Sequence, residues 1–332
     1  MTTPISLLLQ EIPHVKRLES KKFPGMNLIQ WQTDPPGVAK GFTQDDFSGF
    51  DWLVFSIALS YLSTPLALTS LVVTVPFLGV ERMGLLLKKS PQLQRLHLER
   101  LSSIELAAVL KEVGKYCLQL SELSLPELPG ITQLDLTLLQ NCTRCSKLSL
   151  GQCSAPIEQG LISWLKEAGG QLKTLSLYRC LNVTENVLKC LSTSSPFLMS
   201  LNISGCPYLS GASLVHLDGL SIQQLHMSEI ELTSDDVKNC SNLFSRLIEL
   251  SIGNCRLSDE TCRLLAEKCP NMKKMNLRGN PQVSFESLQY LINSLKQLRV
   301  LDLLDSSLSQ DQLLQLTSIR KDLRIIKESS FA

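Results

Sequence analysis

Apolar residues recur along most of this chain in the order Leu-x-x-Leu-x-Leu. Taking the middle apolar residue of each copy as an anchor gives Leu71, Leu96, Leu123, Leu148, Leu175, Leu201, Leu225, Leu250, Met275 and Leu301, with a weaker last copy at Ile326. Successive anchors are 25, 27, 25, 27, 26, 24, 25, 25, 26 and 25 residues apart. Near-constant spacing over ten steps marks an internal repeat. Around each anchor, apolar and polar residues alternate: Leu172, Leu175 and Leu177 enclose Thr174 and Ser176, and Leu247, Leu250 and Ile252 enclose Glu249 and Ser251. Period-two alternation predicts a short strand with one buried face.

The segment after each strand is equally regular. Five residues past the anchor stands Cys153, Cys180, Cys206, Cys255 or Asn280, small enough to sit inside a turn, with Leu101, Leu128, Ile230 and Ser306 as departures. The Asn amide can satisfy backbone groups there, and Cys is expected to act mainly as a compact apolar filler. Then comes an apolar residue followed by a hydroxyl: Val183-Thr184, Leu209-Ser210, Leu232-Thr233, Leu257-Ser258, Val283-Ser284 and Leu308-Ser309. A hydroxyl before an amphipathic run predicts a helix N-cap. Ser102 with Glu105 and Ser309 with Gln312 have capping-box spacing. Leu264, Leu265 and Cys269, or Leu288, Leu291, Ile292 and Leu295, give the helix its apolar stripe. Each unit reads strand, turn, capped helix, turn, and none can bury its apolar face without neighbours.

The run from Leu250 to Pro270, LSIGNCRLSDETCRLLAEKCP, resembles the cysteine-containing subclass of leucine-rich repeats found in the substrate-binding arms of F-box/leucine-rich-repeat proteins. The resemblance covers about residues 67–328. It implies an α/β leucine-rich-repeat solenoid, a right-handed horseshoe with a parallel sheet on the concave face and helices on the convex face. About ten repeats of 24–27 residues are expected over residues 67–332. Residues 1–66 carry no clear repeat and are expected to form an N-terminal cap or docking segment. Within them Pro35-Pro36-Gly37 reads as a turn, and residues 52–62 read as an apolar helix, either of a degenerate leading repeat or of an F-box-like segment.

Composition narrows the function. A formal charge of +1 gives no concentrated basic face for nucleic acid, and aromatics at 5% supply few stacking platforms. Residues 52–80 contain no charge, long enough for a membrane span, but Pro65 and Pro76 interrupt them and their second half enters the repeat register. Eleven cysteines, an odd number without dense spacing, read as free thiols of a reducing cytosol. A nuclear location, or delivery into a host cytosol, stays open. The four Asn-x-Ser/Thr triplets carry little weight beside that reading, since Asn202 falls within a strand.

Chemistry-bearing patterns are few. Cys142-x-x-Cys145 has metal spacing, but both residues fall on repeat positions and no second pair completes a site. The four histidines, His14, His97, His216 and His226, join no catalytic motif, and no phosphate-binding glycine loop occurs. No cofactor, no metal and no enzymatic activity are therefore expected. Partner-binding candidates are the residues flanking the anchors, which strand alternation turns outward on the concave face. Arg95, Lys147, Thr174, Ser176, Asn202, Gln224, Glu249, Asn254, Lys274, Asn276, Asp302 and Asp305 are on that face. Of these rows, His97, Arg100, Tyr178, Arg179, His226 and Arg278 are the chosen anchors, because Tyr and Arg bury well at interfaces. The face grades from basic near Arg95 to acidic near Asp305, which suits a bipolar partner. The expected function is recognition of another protein, by a monomer or within a hetero-complex. A ubiquitin-ligase substrate receptor is the alternative that the resemblance implies; a small-GTPase regulator and a host-directed bacterial effector also stay open.

Overall fold

The computed structural model describes residues 15–23, 26–33, 65–73, 80–99, 101–128, 131 and 134–327. They fall into two compact units, residues 1–171 and 172–332. The apolar helix expected over residues 52–62 lies outside the described residues.

In the first unit the repeat strands are β3 (Ser70–Val73), β4 (Arg95–Leu98), β5 (Glu122–Leu125) and β6 (Lys147–Gly151), parallel and in sequence order. Their register places Leu71, Leu96, Leu123 and Leu148 side by side. Helices α1 (Val80–Lys88), α2 (Ser103–Tyr116) and α3 (Glu158–Ala168) follow strands in turn. Ahead of them, β1 (Val15–Phe23) pairs in parallel with β3, and β2 (Met26–Thr33) returns antiparallel to β1. That hairpin is not legible from the apolar pattern, because it lies outside the leucine period.

The second unit repeats the plan. Strands β7 (Thr174–Tyr178), β8 (Ser200–Asn202), β9 (Gln224–His226), β10 (Glu249–Ser251), β11 (Lys274–Asn276), β12 (Val300–Asp302) and β13 (Arg324–Ile326) are parallel, each bonded to the next. Leu175, Leu201, Leu225, Leu250, Met275 and Leu301 occupy one row. Helices α4 (Glu185–Ser194), α5 (Ser234–Asn239), α6 (Ser241–Arg246), α7 (Asp259–Lys268), α8 (Phe285–Ser294) and α9 (Gln310–Ile319) lie between the strands in sequence. The chain is an α/β leucine-rich-repeat solenoid. All ten anchors from Leu71 to Leu301 are at most 2% exposed. Removing such a side chain from water contributes roughly 1.5–3 kcal/mol, so the row is a main source of stability.

The hydroxyl caps form as expected. Thr184, Thr233, Ser258, Ser284 and Ser309 each accept a bond from a backbone N–H in the first turn of the helix that follows. Both expected capping boxes are present, at Ser102/Glu105 and Ser309/Gln312. Two expectations need correction. Ser210 opens a 3-10 helix, Gly211–Leu217, rather than an α-helix. The repeats from Leu201 to Leu225 and from Leu301 to Ile325 both span 24 residues, and the second keeps an α-helix, Gln310–Ile319, so repeat length alone does not select the 3-10 form. The last anchor is Ile325, not Ile326: Leu301 pairs with Ile325, and Ile326 pairs with Asp302 on the polar row. Leu323 keeps its buried place, but the link from it to the strand is one residue short, and a one-residue slip exchanges the faces.

The position five residues past the anchor does more than fill space. Cys206 and Cys255 direct Sγ at the carbonyls of Leu177 and Met227 in the preceding repeat, at 3.1 and 3.4 Å. Asn280 Nδ2 donates to the equivalent carbonyl of Ile252 at 2.9 Å, while its Oδ1 accepts from the N–H groups of Cys255 and Leu257. Cys therefore acts as a weak donor as well as a filler. Leu128 and Ile230 fill the same place, buried, without a donor. All eleven cysteines are buried thiols. Burial pushes the thiols of Cys142, Cys206, Cys240 and Cys255 up to about 11, and those of Cys117, Cys145 and Cys262 up to about 12. Among the described residues no helix is long and apolar enough to cross a membrane; within residues 52–80, β3 holds the repeat register.

The buried turn makes two testable statements about stability. Asn280→Ala leaves several buried backbone groups without partners and is expected to cost about 2–4 kcal/mol, read as a lower urea midpoint; Asn280→Cys, which restores a donor, is expected to cost less. If the two variants unfold at the same midpoint, the side-chain bonds of Asn280 carry no stability. The thiols respond to pH with a definite sign. Below the ordinary thiol value of about 8.5 folded and unfolded chains are equally protonated. Above it the unfolded chain loses protons that the native chain keeps, so stability falls as pH rises towards 11–12. A thiol reagent at pH 8 is expected to label the native protein far more slowly than the protein in urea.

Candidate functional site

On the strand side, the residues immediately flanking the buried anchors are, apart from the buried Ser70, half-buried or exposed and mostly polar. In the first unit His97 follows Leu96 on β4, with its Nε2 2.7 Å from Glu99 Oε1. On the next two strands Lys147 Nζ bonds Glu122 Oε1 at 2.6 Å. Arg100, also chosen from the sequence, lies outside the described residues.

The second unit presents the longer row. His226 on β9 has Nε2 3.8 Å from Glu249 Oε1 on β10, and Lys274 on β11 reaches the other oxygen of Glu249 at 3.4 Å. Several outward side chains are occupied with the backbone of their own turn. Asn202, Asn276 and Asp302 each accept through Oδ1 from the N–H two residues on, at 2.9–3.0 Å. Where that position is His226 or Ser251, a serine of the preceding repeat takes over: Ser204 Oγ accepts from Ser228 N, and Ser228 Oγ accepts from Gly253 N, both at 3.1 Å. Local backbone satisfaction explains these residues without a partner.

Past the strand ends the chain makes a turn that apolar spacing does not reveal. The residue four positions after the anchor is left-handed in repeat after repeat: Gln152 in the first unit, and Arg179, Gly205, Glu229, Asn254, Gly279 and Asp305 in the second. Gly205, Gly279 and Asn254 were the available signal, since those residue types adopt positive φ most easily. The expectation that strand alternation turns Arg179, Asn254, Arg278 and Asp305 outward needs correction. All four lie beyond their strands, and for Arg179, Asn254 and Asp305 a left-handed backbone, not the pleat, sets the direction.

The turn brings charged residues together along its rim. Arg179 Nη2 donates to Glu229 Oε1 at 2.9 Å, although Glu229 lies two repeats away. Gly205 stands between them and leaves room for the bridge: a Cβ there would come within 2.6 Å of Arg179 Cγ, so the arginine side chain would have to shift. The guanidinium carbon of Arg179 also lies 5.3 Å from the centre of the Tyr178 ring, within cation–π range. Glu229 raises the pKa of Arg179 through this hydrogen bond and its charge. Farther along, Arg278 Nε donates to Asp305 Oδ2 at 2.9 Å. Of the six chosen residues, the structure joins Tyr178 with Arg179 and leaves His97, His226 and Arg278 each beside its own carboxylate. The pairs of Arg179 and Arg278 are exposed and those of His97 and His226 half-buried, and water in contact with such pairs screens their attraction.

A cavity of about 210 Å³ beside Asp305 is lined by Leu303, Ser306, Leu308, Gln310, Leu313 and Lys327. Among the described residues no three His, Cys, Asp or Glu side chains gather as a metal site. Cys142 and Cys145 are buried as repeat residues, with Sγ of Cys145 3.5 Å from the Lys147 carbonyl.

Comparison with known proteins adds to this geometry. No protein-family model matches the chain. It is 26% identical over 223 residues to F-box/LRR-repeat protein 4 of Bos taurus, an alignment covering 62% of this chain and 35% of that protein. The chain thus spans about a third of the length of that relative. Among solved structures, it is similar to a chain in the crystal structure of the Rad7 and Elc1 complex in yeast, with 18% identity, 79% of this chain and 75% of that one covered, and a TM-score of 0.49. An internalin from Listeria monocytogenes aligns at 16% identity, covering 83% of this chain and 89% of that one, with a TM-score of 0.40. The stacked repeats and the curated relative agree: the chain is a leucine-rich-repeat protein whose repeats resemble the arm of the F-box/leucine-rich-repeat proteins.

Proposed function

We propose that the chain recognises another protein through its strand side, without carrying out a reaction of its own. The observation that carries this reading is the second unit's parallel strands β7 to β12. They bury one row of anchors and, on the other face, hold Thr174, Ser176, Gln224, His226, Glu249 and Lys274 at fixed register. A rigid ladder of this kind presents side chains at the strand spacing of about 4.8 Å. Little conformational entropy is then left to lose on association. The charges along the ladder are of both signs and lightly paired, which favours a protein partner over a polyanion.

A second reading, a substrate-receptor subunit of a ubiquitin ligase, is favoured by the 223-residue likeness to an F-box/LRR-repeat protein. In that reading the strand side takes the substrate, and residues 1–66 or a further segment supplies the docking element.

Affinity capture with quantitative mass spectrometry tests both readings. The doubly substituted strand-side variant Gln224→Arg/Lys274→Glu is compared with Gln289→Arg, which changes an exposed residue of α8. The strand-side variant is expected to lose a defined set of proteins by about tenfold, the size of one to two kcal/mol at an interface, while the helix variant retains them. Equal capture by the two would sink the strand-side reading, and failure to recover a cullin adaptor with the wild-type chain would remove the ligase reading.

A further inference from the structure

We propose that the rim around Gly205 is an anchor site for a segment of a partner protein that places a carboxylate next to an apolar side chain, with Arg179 gripping the carboxylate. This deepens the reading of strand-side recognition and rests on it.

Four observations converge on Arg179. Its backbone is left-handed, at φ 53°, a conformation that an arginine adopts only when its surroundings hold it there. Its side chain lies over Gly205, in the space that any Cβ there would take. Glu229 holds the far end, and the ring of Tyr178 lies beneath the guanidinium. The group is therefore ordered before a partner arrives, yet its side chain remains 49% exposed. A guanidinium carries five N–H donors. Glu229 takes a bond from Nη2, which leaves a second edge for the paired oxygens of an incoming carboxylate.

The apolar half of the site is independent of that charge. Two of the large hydrophobic side chains exposed among the described residues, Leu181 and Tyr208, follow their strands on the same side as Arg179 and Gly205. Leu181 stands two residues after Arg179, and Tyr208, 68% exposed, stands three residues after Gly205. With Tyr178 they place apolar side chains within three residues of Arg179 and Gly205 in the chain. Gathering apolar surface beside an ordered arginine is the composition of a binding hot spot. A basic segment would instead have to seek Glu229, whose carboxylate already accepts from Arg179.

Panning a random 12-residue phage-displayed peptide library on the full chain tests this. Peptides carrying Asp or Glu next to Leu, Phe or Trp are expected to be enriched, and one of them, synthesised, serves as the probe. Its affinity is expected to fall about tenfold in Arg179→Ala and less in Arg179→Lys, which keeps the charge without the fork. It should also fall in Gly205→Ala, which keeps every recognition side chain but displaces Arg179. In Glu229→Gln it should rise about threefold, because the competing charge is gone while an acceptor remains. A merely structural role for the Arg179–Glu229 bridge would weaken binding in both Arg179→Ala and Glu229→Gln. Enrichment of basic peptides, no enrichment above a bait-free control, or weaker binding in Glu229→Gln overturns the proposal. The broader reading survives any of these results if the Gln224→Arg/Lys274→Glu variant still loses its captured proteins.

Discussion

The register of one buried residue per strand is the constraint on which the rest of this molecule depends. A repeat of about 25 residues cannot shield its own apolar face; it is stable only when the anchor of the next repeat lies beside its own. Leu201 against Leu225 and Leu250 against Met275 satisfy that condition through parallel pairing. The position five residues past the anchor secures the same register by a different means. Asn280 or the thiol of Cys206 or Cys255 bonds a carbonyl at or just past the strand end of the preceding repeat, so that carbonyl is satisfied in the dry interior. Apolar contact sets how strongly neighbours adhere, and these polar links set at which residue they adhere.

Because each layer is fixed by its neighbour, the turns beyond the strands are fixed as well. The left-handed residue four places past the anchor recurs whether the side chain is Gly205, Asn254, Arg179, Glu229 or Asp305. At Arg179 and Glu229 tertiary stacking thus imposes a backbone conformation that those residue types do not favour. The second ladder of backbone bonds explains how. Arg179 N, Gly205 N, Glu229 N, Asn254 N and Gly279 N each donate to a carbonyl of the next repeat, at 2.8–2.9 Å. The strain at Arg179 or Glu229 is offset by a hydrogen bond that a relaxed turn would forfeit. The rim then inherits the precision of the core, and exposed side chains on it acquire fixed positions.

This order of causes explains which features were legible in the sequence. Apolar periodicity is a direct imprint of burial, so the ten anchors from Leu71 to Leu301 and the hydroxyl caps can be read from spacing. Spacing selects Ile326 in place of Ile325 because an Ile-Ile pair gives period-two reasoning no way to choose, and the shortened link after Leu323 leaves no mark in composition. The 3-10 form of the helix after Ser210 likewise leaves no mark in the apolar spacing. At the rim the sequence can name Tyr178 and Arg179 but not what joins them to Glu229. That bridge spans 50 residues, and its enabling residue, Gly205, matters through an absent side chain.

Recognition side chains on such a scaffold face two opposing demands. Those that satisfy their own turns, such as Asn202, Asn276 and Asp302, cannot leave without exposing a backbone N–H, and are poorly suited to exchange partners. Those held only by a surface charge, such as Arg278 by Asp305 or Lys274 by Glu249, keep a defined place yet surrender it for about 1 kcal/mol or less. On the proposed reading of strand-side recognition, specificity belongs to the second group, while the first keeps the ladder in register. Arg179 is the residue in which the two demands meet. Its backbone N–H is bound into the ladder through Ser204, and its side chain is held only by Glu229 and the Tyr178 ring.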